Sequence, residues 1–191
     1  MKTLQVLATI IVATLLSTSL AAQNKEIAIR ALSLGDLGNT QFMYKKQKSA
    51  TTYRRYRLIT GNAGFSFLGS DNTRSQFSTG FFTGLENRRE LNDRFQLIHG
   101  LEVGLGGTFS DLSNNQTNLQ INATLGYVVG LQYSISEAFS IGIETIPSLS
   151  YGYSRSSRNS TATTNHRIGL NLNSNAVAFT GVYRWAADQK S

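Results

Sequence analysis

Asn118-Leu119-Gln120-Ile121-Asn122-Ala123-Thr124-Leu125-Gly126-Tyr127-Val128-Val129-Gly130-Leu131-Gln132-Tyr133 is the stretch that decides the fold. Leu119, Ile121, Ala123, Leu125, Tyr127, Val129, Leu131 and Tyr133 fall on one face. The opposite face carries Asn118, Gln120, Asn122, Thr124, Gly126, Val128, Gly130 and Gln132. Period two is the signature of a strand with two unlike faces. The alternation runs far beyond the ~5–6 residues usual for a strand of a globular protein.

Outward from this stretch the pattern repeats. Leu97, His99, Leu101, Val103 and Leu105 alternate with Gln96, Ile98, Gly100, Glu102 and Gly104. Phe139, Ile141, Ile143, Thr145, Pro147, Leu149 and Tyr151 do the same, as do Phe77, Thr79, Phe81, Thr83 and Leu85. Turn residues divide the chain into eight expected strands, at about 25–34, 39–48, 53–68, 74–87, 93–109, 117–133, 138–154 and 165–185. The last one breaks parity. Ile168, Leu170 and Leu172 are even, whereas Val177, Phe179, Tyr183 and Trp185 are odd, so the faces switch near 173–175, through a β-bulge or a tight turn.

Alternation alone does not say which face meets water, and a soluble ligand-carrying barrel also alternates. The polar faces here are built of Gly, Ser, Thr, Asn and Gln, and no charged residue occurs between Asp111 and Glu137. Soluble surfaces are normally rich in Lys and Glu. Small uncharged groups suit a narrow interior, with the apolar face against lipid. Open sheet edges are not viable in hydrocarbon, so the sheet closes. The expected fold is all-β, a closed antiparallel eight-stranded transmembrane β-barrel over residues 23–191. Such a barrel is filled by its own side chains, which argues against a wide solute channel.

The chain begins Met1-Lys2-Thr3, runs apolar from Leu4 to Leu16, and continues Ser17-Thr18-Ser19-Leu20-Ala21-Ala22. A positive start, a short apolar core and small residues at the exit describe an export signal over residues 1–22, cut after Ala21 or Ala22. With no cysteine in the chain, neither lipid attachment nor disulfides are expected. The signal takes one basic residue, Lys2, from a formal net charge of +7 and leaves +6. In an exported chain the natural counter-charge is anionic lipid rather than nucleic acid.

Leu125-Gly126-Tyr127-Val128, followed by Leu131-Gln132-Tyr133-Ser134-Ile135-Ser136-Glu137-Ala138-Phe139, resembles the strand–short turn–strand unit of the small outer-membrane β-barrel domain family of Gram-negative bacteria, which includes OmpA-like and PorT-like eight-stranded barrels. Ala178-Phe179-Thr180-Gly181-Val182-Tyr183-Arg184-Trp185 resembles that family's aromatic-terminated last strand. The resemblance implies location in the outer membrane, with outer-membrane lipids and the barrel-assembly machinery as partners. Phe179, Tyr183 and Trp185 would carry the assembly signal, although Ala186 to Ser191 extend past the usual end. It also implies termini in the periplasm, outer loops at 35–38, 69–73, 110–116 and 154–165, and periplasmic turns near 49–52, 88–92 and 134–137. Outer loops so short argue against a large receptor or porin.

Two groups of residues are candidates for function. Glu86, Arg94, Glu102, Glu144 and Arg184 fall on interior positions, as an ionic network or as a proton or ion path. Lys45, Lys46, Lys48, Arg54, Arg55 and Arg57, interleaved with Tyr44, Tyr53 and Tyr56, suit a periplasmic rim touching lipid phosphates or an acidic periplasmic protein, with Arg88 and Arg89 at the same rim. His99 and His166 are the only histidine bases, and neither has a nucleophile and carboxylate in a suggestive pattern. No metal-ligand spacing or nucleotide fingerprint occurs, so no cofactor is expected. The expected role is structural or interactional, without catalysis. A narrow channel is the alternative, and a lipid-modifying enzyme the third choice.

Overall fold

The computed structural model describes residues 24–31, 40–60, 64–67, 73–112, 116–158, 161–172 and 177–185. The export signal expected over 1–22 and the face switch expected at 173–175 lie outside these residues. Eleven strands follow in order: β1 (Lys25–Ala31), β2 (Thr40–Gln47), β3 (Thr52–Thr60), β4 (Gly64–Phe67), β5 (Thr73–Glu90), β6 (Phe95–Leu112), β7 (Gln116–Ser134), β8 (Phe139–Thr145), β9 (Ser148–Arg158), β10 (Thr161–Asn171) and β11 (Ala178–Trp185). All pairings are antiparallel.

These eleven pieces make eight wall strands. β3 and β4 both pair β5, and β8 and β9 both pair β7. β10 and β11 pair β9 and β8 respectively. The break between β8 and β9 sits at Ile146-Pro147. Pro147 has no N–H to donate, but its carbonyl still accepts the Tyr127 N–H at 2.9 Å, so the register against β7 runs through unchanged.

The parity change in the last wall strand is recorded in the pairs that flank it. Asn171 pairs with Ser148 and Ala178 with Glu144, so seven residues on one side answer four on the other. An odd excess exchanges the two faces.

β1 pairs both β2 and β11, which closes the wall. A walk from partner to partner starts at Phe95 and passes Tyr133, Ile141, Gly181, Ile29, Phe42, Leu58 and Phe81. It returns to β6 at Leu105, ten residues along from 95 to 105. That stagger ties the eight strands to a steep tilt, ~35–45° in barrels of this kind.

At one end the turns 48–51, 91–94 and 135–138 share one design. The side chains of Ser49, Asn92 and Ser136 accept the N–H of Thr52, Phe95 and Phe139 at 3.2, 2.8 and 3.1 Å. At the other end the expected loops at 110–116 and 154–165 are shorter than the sequence suggested. β6 continues to Leu112, β7 starts at Gln116, and β9 and β10 extend to Arg158 and from Thr161. Their Ser, Thr and Asn residues look like loop by composition. In-register pairing with β7 carries them as strand instead, which their β-branched Thr content tolerates.

The apolar distribution is inside-out. Leu105 is 64 % exposed, and Phe81, Leu101, Val103, Leu125, Ile141 and Leu149 also face outward and are exposed. Inside the barrel, buried apolar side chains form two small clusters, Ala28–Met43–Val182 and Ile98–Val128–Ile146. An exposed apolar belt around a closed sheet is the arrangement of a barrel wall in hydrocarbon. Among the described residues no helix is long and apolar enough to cross a membrane. The crossing elements are the strands.

Candidate functional site

Inward-facing residues at the turn end meet in one ionic cluster. Arg55 on β3, fully buried, lies at its centre. Its Nη1 donates to Glu86 and Glu144 at 3.3 Å, its Nη2 to Glu144 at 3.1 Å, and its Nε lies 3.4 Å from Glu102. Lys45 Nζ reaches Glu86 at 2.8 Å. Arg88 grips Glu26 with both terminal nitrogens, at 2.8 and 2.6 Å, and donates to Glu86 through Nε at 2.8 Å. Arg184 donates to Glu26 at 2.9 Å and forms the edge of the cluster toward the turns.

Toward the other end Arg30 pairs Glu144 at 2.8 Å, and Arg57 pairs Glu102. Both guanidiniums also converge on Oε1 of Gln41, at 2.9 and 2.7 Å. Two rings pack on the cations, Phe82 under Arg57 and Tyr53 under Arg88, with centroids 4.1 and 3.7 Å away.

Six cations thus meet four carboxylates in the barrel interior. Glu26 and Glu86 are completely buried. Charges removed from water in this way persist only when paired and hydrogen-bonded, which the geometry provides. Every wall strand except β7 contributes a cluster member. β7 contributes absence: a Cβ on Gly130 would sit 2.7 Å from the Ile143 carbonyl oxygen and 3.0 Å from Glu144 Cβ. Glycine there leaves Glu144 its space.

The structure therefore redistributes the expected residues. Glu86, Glu102 and Glu144 meet inside the barrel and Arg184 joins them, but Arg94 does not. Arg94 lies in the exposed turn, where its Nη1 donates to the Tyr133 hydroxyl at 3.0 Å. Lys45, Arg55 and Arg57, expected at the periplasmic rim, point into the barrel. The cause is parity: they alternate with Phe42, Tyr44, Tyr56 and Leu58, which take the outer face. Lys46 and Arg54 keep outward positions, and Arg54 is exposed. Glu26, Arg30 and Gln41 belong to the cluster although the sequence did not single them out, and Arg88, expected at the periplasmic rim, is buried in it instead. Phe179, Tyr183 and Trp185 face outward on β11, and the Tyr183 and Trp185 rings stack at 6.3 Å.

The other half of the interior is polar and open. A cavity of about 730 Å³ is lined by Gln120, Asn122, Ser154, Asn165 and Arg167, among others. Both histidines lie outside the ionic cluster. His166 Nδ1 is 2.6 Å from the Tyr151 hydroxyl, and its ring packs edge-on to Tyr153. His99 Nδ1 is 3.5 Å from the Tyr127 hydroxyl. Among the described residues no group of three or more His, Cys, Asp or Glu is placed to hold a metal ion.

No family model and no curated protein matches the chain by sequence. Its fold is similar to that of Ail, the attachment invasion locus protein of Yersinia pestis, at 13 % identity and a TM-score of 0.44, over 87 % of this chain and 100 % of that one. It is also similar to a major outer membrane protein from Thermus thermophilus, at 12 % identity and 0.45, over 86 % and 100 %. Neisserial surface protein A is a third, at 13 % identity and 0.40, over 85 % and 95 %. At such identities the likeness concerns the fold alone.

Proposed function

We propose that the protein is a plugged, non-conducting barrel of a bacterial outer membrane whose role is interactional, exercised through the sheet at the end remote from the turns. The observation that carries this reading is the division of the barrel into two unlike halves. One is filled by paired charges. In the other, β10 is hydrogen-bonded on one side only among the described residues, to β9. Native sheets blunt such edges with Lys, Pro or bulges. From Thr161 to Asn165 β10 has neither Lys nor Pro, and it is exposed on both faces. An edge of this kind accepts an extended polypeptide as an added strand. The ionic cluster weighs against the narrow-channel reading, because a permeating ion would have to displace groups already paired at hydrogen-bonding distance.

Two measurements test the proposal. In planar bilayers the purified protein is expected to give no unitary conductance steps, and reproducible steps would favour the channel. Amide exchange along Thr161–Asn165 is expected to be fast at the outward edge, and to slow when a peptide copying Ser148–Arg158, the natural neighbour, is added. No added protection would remove the strand-addition role.

A further inference from the structure

The outer wall carries a furrow of about 580 Å³ between two cross-strand rows of side chains. One row is Phe81, Leu105, Ala123, Tyr151 and Ile168, each directly opposite the next on β5, β6, β7, β9 and β10. The other includes Thr83, Val103, Leu125 and Leu149, in the same succession. Ala123, flanked by Leu105 and Tyr151, is the small residue that makes the dent. A chain crossing five strands, four spacings of ~4.8 Å, covers roughly 19 Å. One leaflet of a ~30 Å hydrocarbon core has comparable depth.

The furrow also has a direction. Because the wall is staggered, the upper row is a continuation of the one that starts at Phe95 beside the turns, and it climbs away from them as it passes from β5 to β10. On β9 it reaches Tyr151, whose hydroxyl is joined to His166, before its last member, Ile168, on β10. Beyond that pair, on the same outward face, come Tyr153 and then the exposed Arg155, opposite Thr164. Apolar groups thus give way to a hydroxyl, an imidazole and a guanidinium in the order in which a lipid gives way from chain to glycerol to phosphate. Among the described residues no carboxylate is ion-paired with Arg155.

We propose that this furrow is a lipid site: it holds one acyl chain of an anionic phospholipid, with the phosphate at Arg155 and the polar neck beside Tyr151 and His166. The assignment rests on the membrane-facing wall and uses His166 and Ile168 of β10, whereas the strand-edge reading uses Thr161–Asn165 of that strand.

The test uses the full-length mature protein in nanodiscs of equal phosphatidylglycerol and phosphatidylcholine, with the retained lipid read by native mass spectrometry. The wild type is expected to keep one tightly held lipid, with phosphatidylglycerol favoured several-fold. Ala123→Trp fills the dent and is expected to lose that lipid, while the heat-dependent gel shift reports an intact barrel. Arg155→Glu leaves the furrow open and is expected to keep a lipid but lose the preference for phosphatidylglycerol. Equal lipid retention by the wild type and Ala123→Trp would overturn the furrow as a site. An unchanged preference in Arg155→Glu would overturn the placement of the phosphate.

Discussion

Lys45 and Glu86 form a buried pair whose two halves are unequal, and the inequality can be measured. Lys45 is 1 % exposed, and its ion-pair partner among the described residues is Glu86. Glu86 has three cations, Lys45 at 2.8 Å, Arg55 at 3.3 Å and Arg88 at 2.7 Å. Replacing Lys45 by Met removes one of six cations and leaves Glu86 still paired twice. Replacing Glu86 by Gln leaves a stranded ammonium in a cluster that now has six cations and three carboxylates. Stranding a buried charge costs about 3–5 kcal/mol, whereas deleting a surplus one from a well-paired cluster costs much less, about 1 kcal/mol. The double variant removes the stranded charge with its partner and should recover about 2 kcal/mol or more of the Glu86→Gln loss. With a slope of about 2 kcal/mol per molar urea, Glu86→Gln lowers the unfolding midpoint by roughly 2 M and Lys45→Met by roughly 0.5 M. Unfolding in phospholipid vesicles, followed by Trp185 fluorescence, provides the midpoints. Equal losses in the two single variants, or strict additivity in the double, would refute the reasoning.

Three further outcomes are expected. Unboiled protein should migrate differently from boiled protein on a denaturing gel, since a closed membrane barrel resists detergent until heated; coincident bands would defeat the closed wall. Gly104→Ala should destabilise the barrel by about 1–3 kcal/mol, because its Cβ would meet the Phe82 ring at 2.1 Å. Adding Phe82→Leu should return part of that loss, and the heating temperature at which the gel shift disappears reads both. Tyr183→Ala with Trp185→Ala should slow insertion assisted by the assembly machinery and leave unassisted folding into vesicles unchanged. An equal effect on both rates would make the aromatics structural only, and deleting residues 186–191 should change neither.

The wall is legible because its signal is local. Alternation from Asn118 to Tyr133 needs no tertiary information, and one outward face fixes the other. What the sequence hides is the side of the basic segments. In Tyr53-Arg54-Arg55-Tyr56-Arg57-Leu58 both faces carry a cation and an aromatic residue, so composition does not separate them. The separating signal is Phe42, which lies opposite Leu58, with Leu58 opposite Phe81. Once those three face lipid, Lys45, Arg55 and Arg57 must turn inward. That inference needs the strand register, which no single strand contains. Arg94 is misplaced for the opposite reason, because its parity is counted through a turn, where alternation stops. The loop lengths mislead because Ser, Thr and Asn are turn residues only when no neighbouring strand holds them.

The two halves of the barrel are separated by the same stagger that closes it. Around the circuit the described parts of β1 and β2 have seven and eight residues, whereas β5, β6 and β7 have eighteen or nineteen. Among the described residues, the ring closed through β1 and β11 is where the ten charged groups of the cluster lie. Closure there is required by the missing water, since neither an unpaired strand edge nor an unpaired charge is tolerated in hydrocarbon. Beyond the ring the long strands continue as a sheet rich in Ser, Thr, Asn and Gln whose ladder, among the described residues, ends at β10. Water can satisfy an edge there, so stability places little demand on the residues that form it. Substitutions along Thr161–Asn165 should accordingly leave the urea midpoint within about 0.5 kcal/mol of the wild-type stability while changing the peptide protection of β10. A large loss of stability from these positions would mean that the edge is already covered and unavailable to a partner.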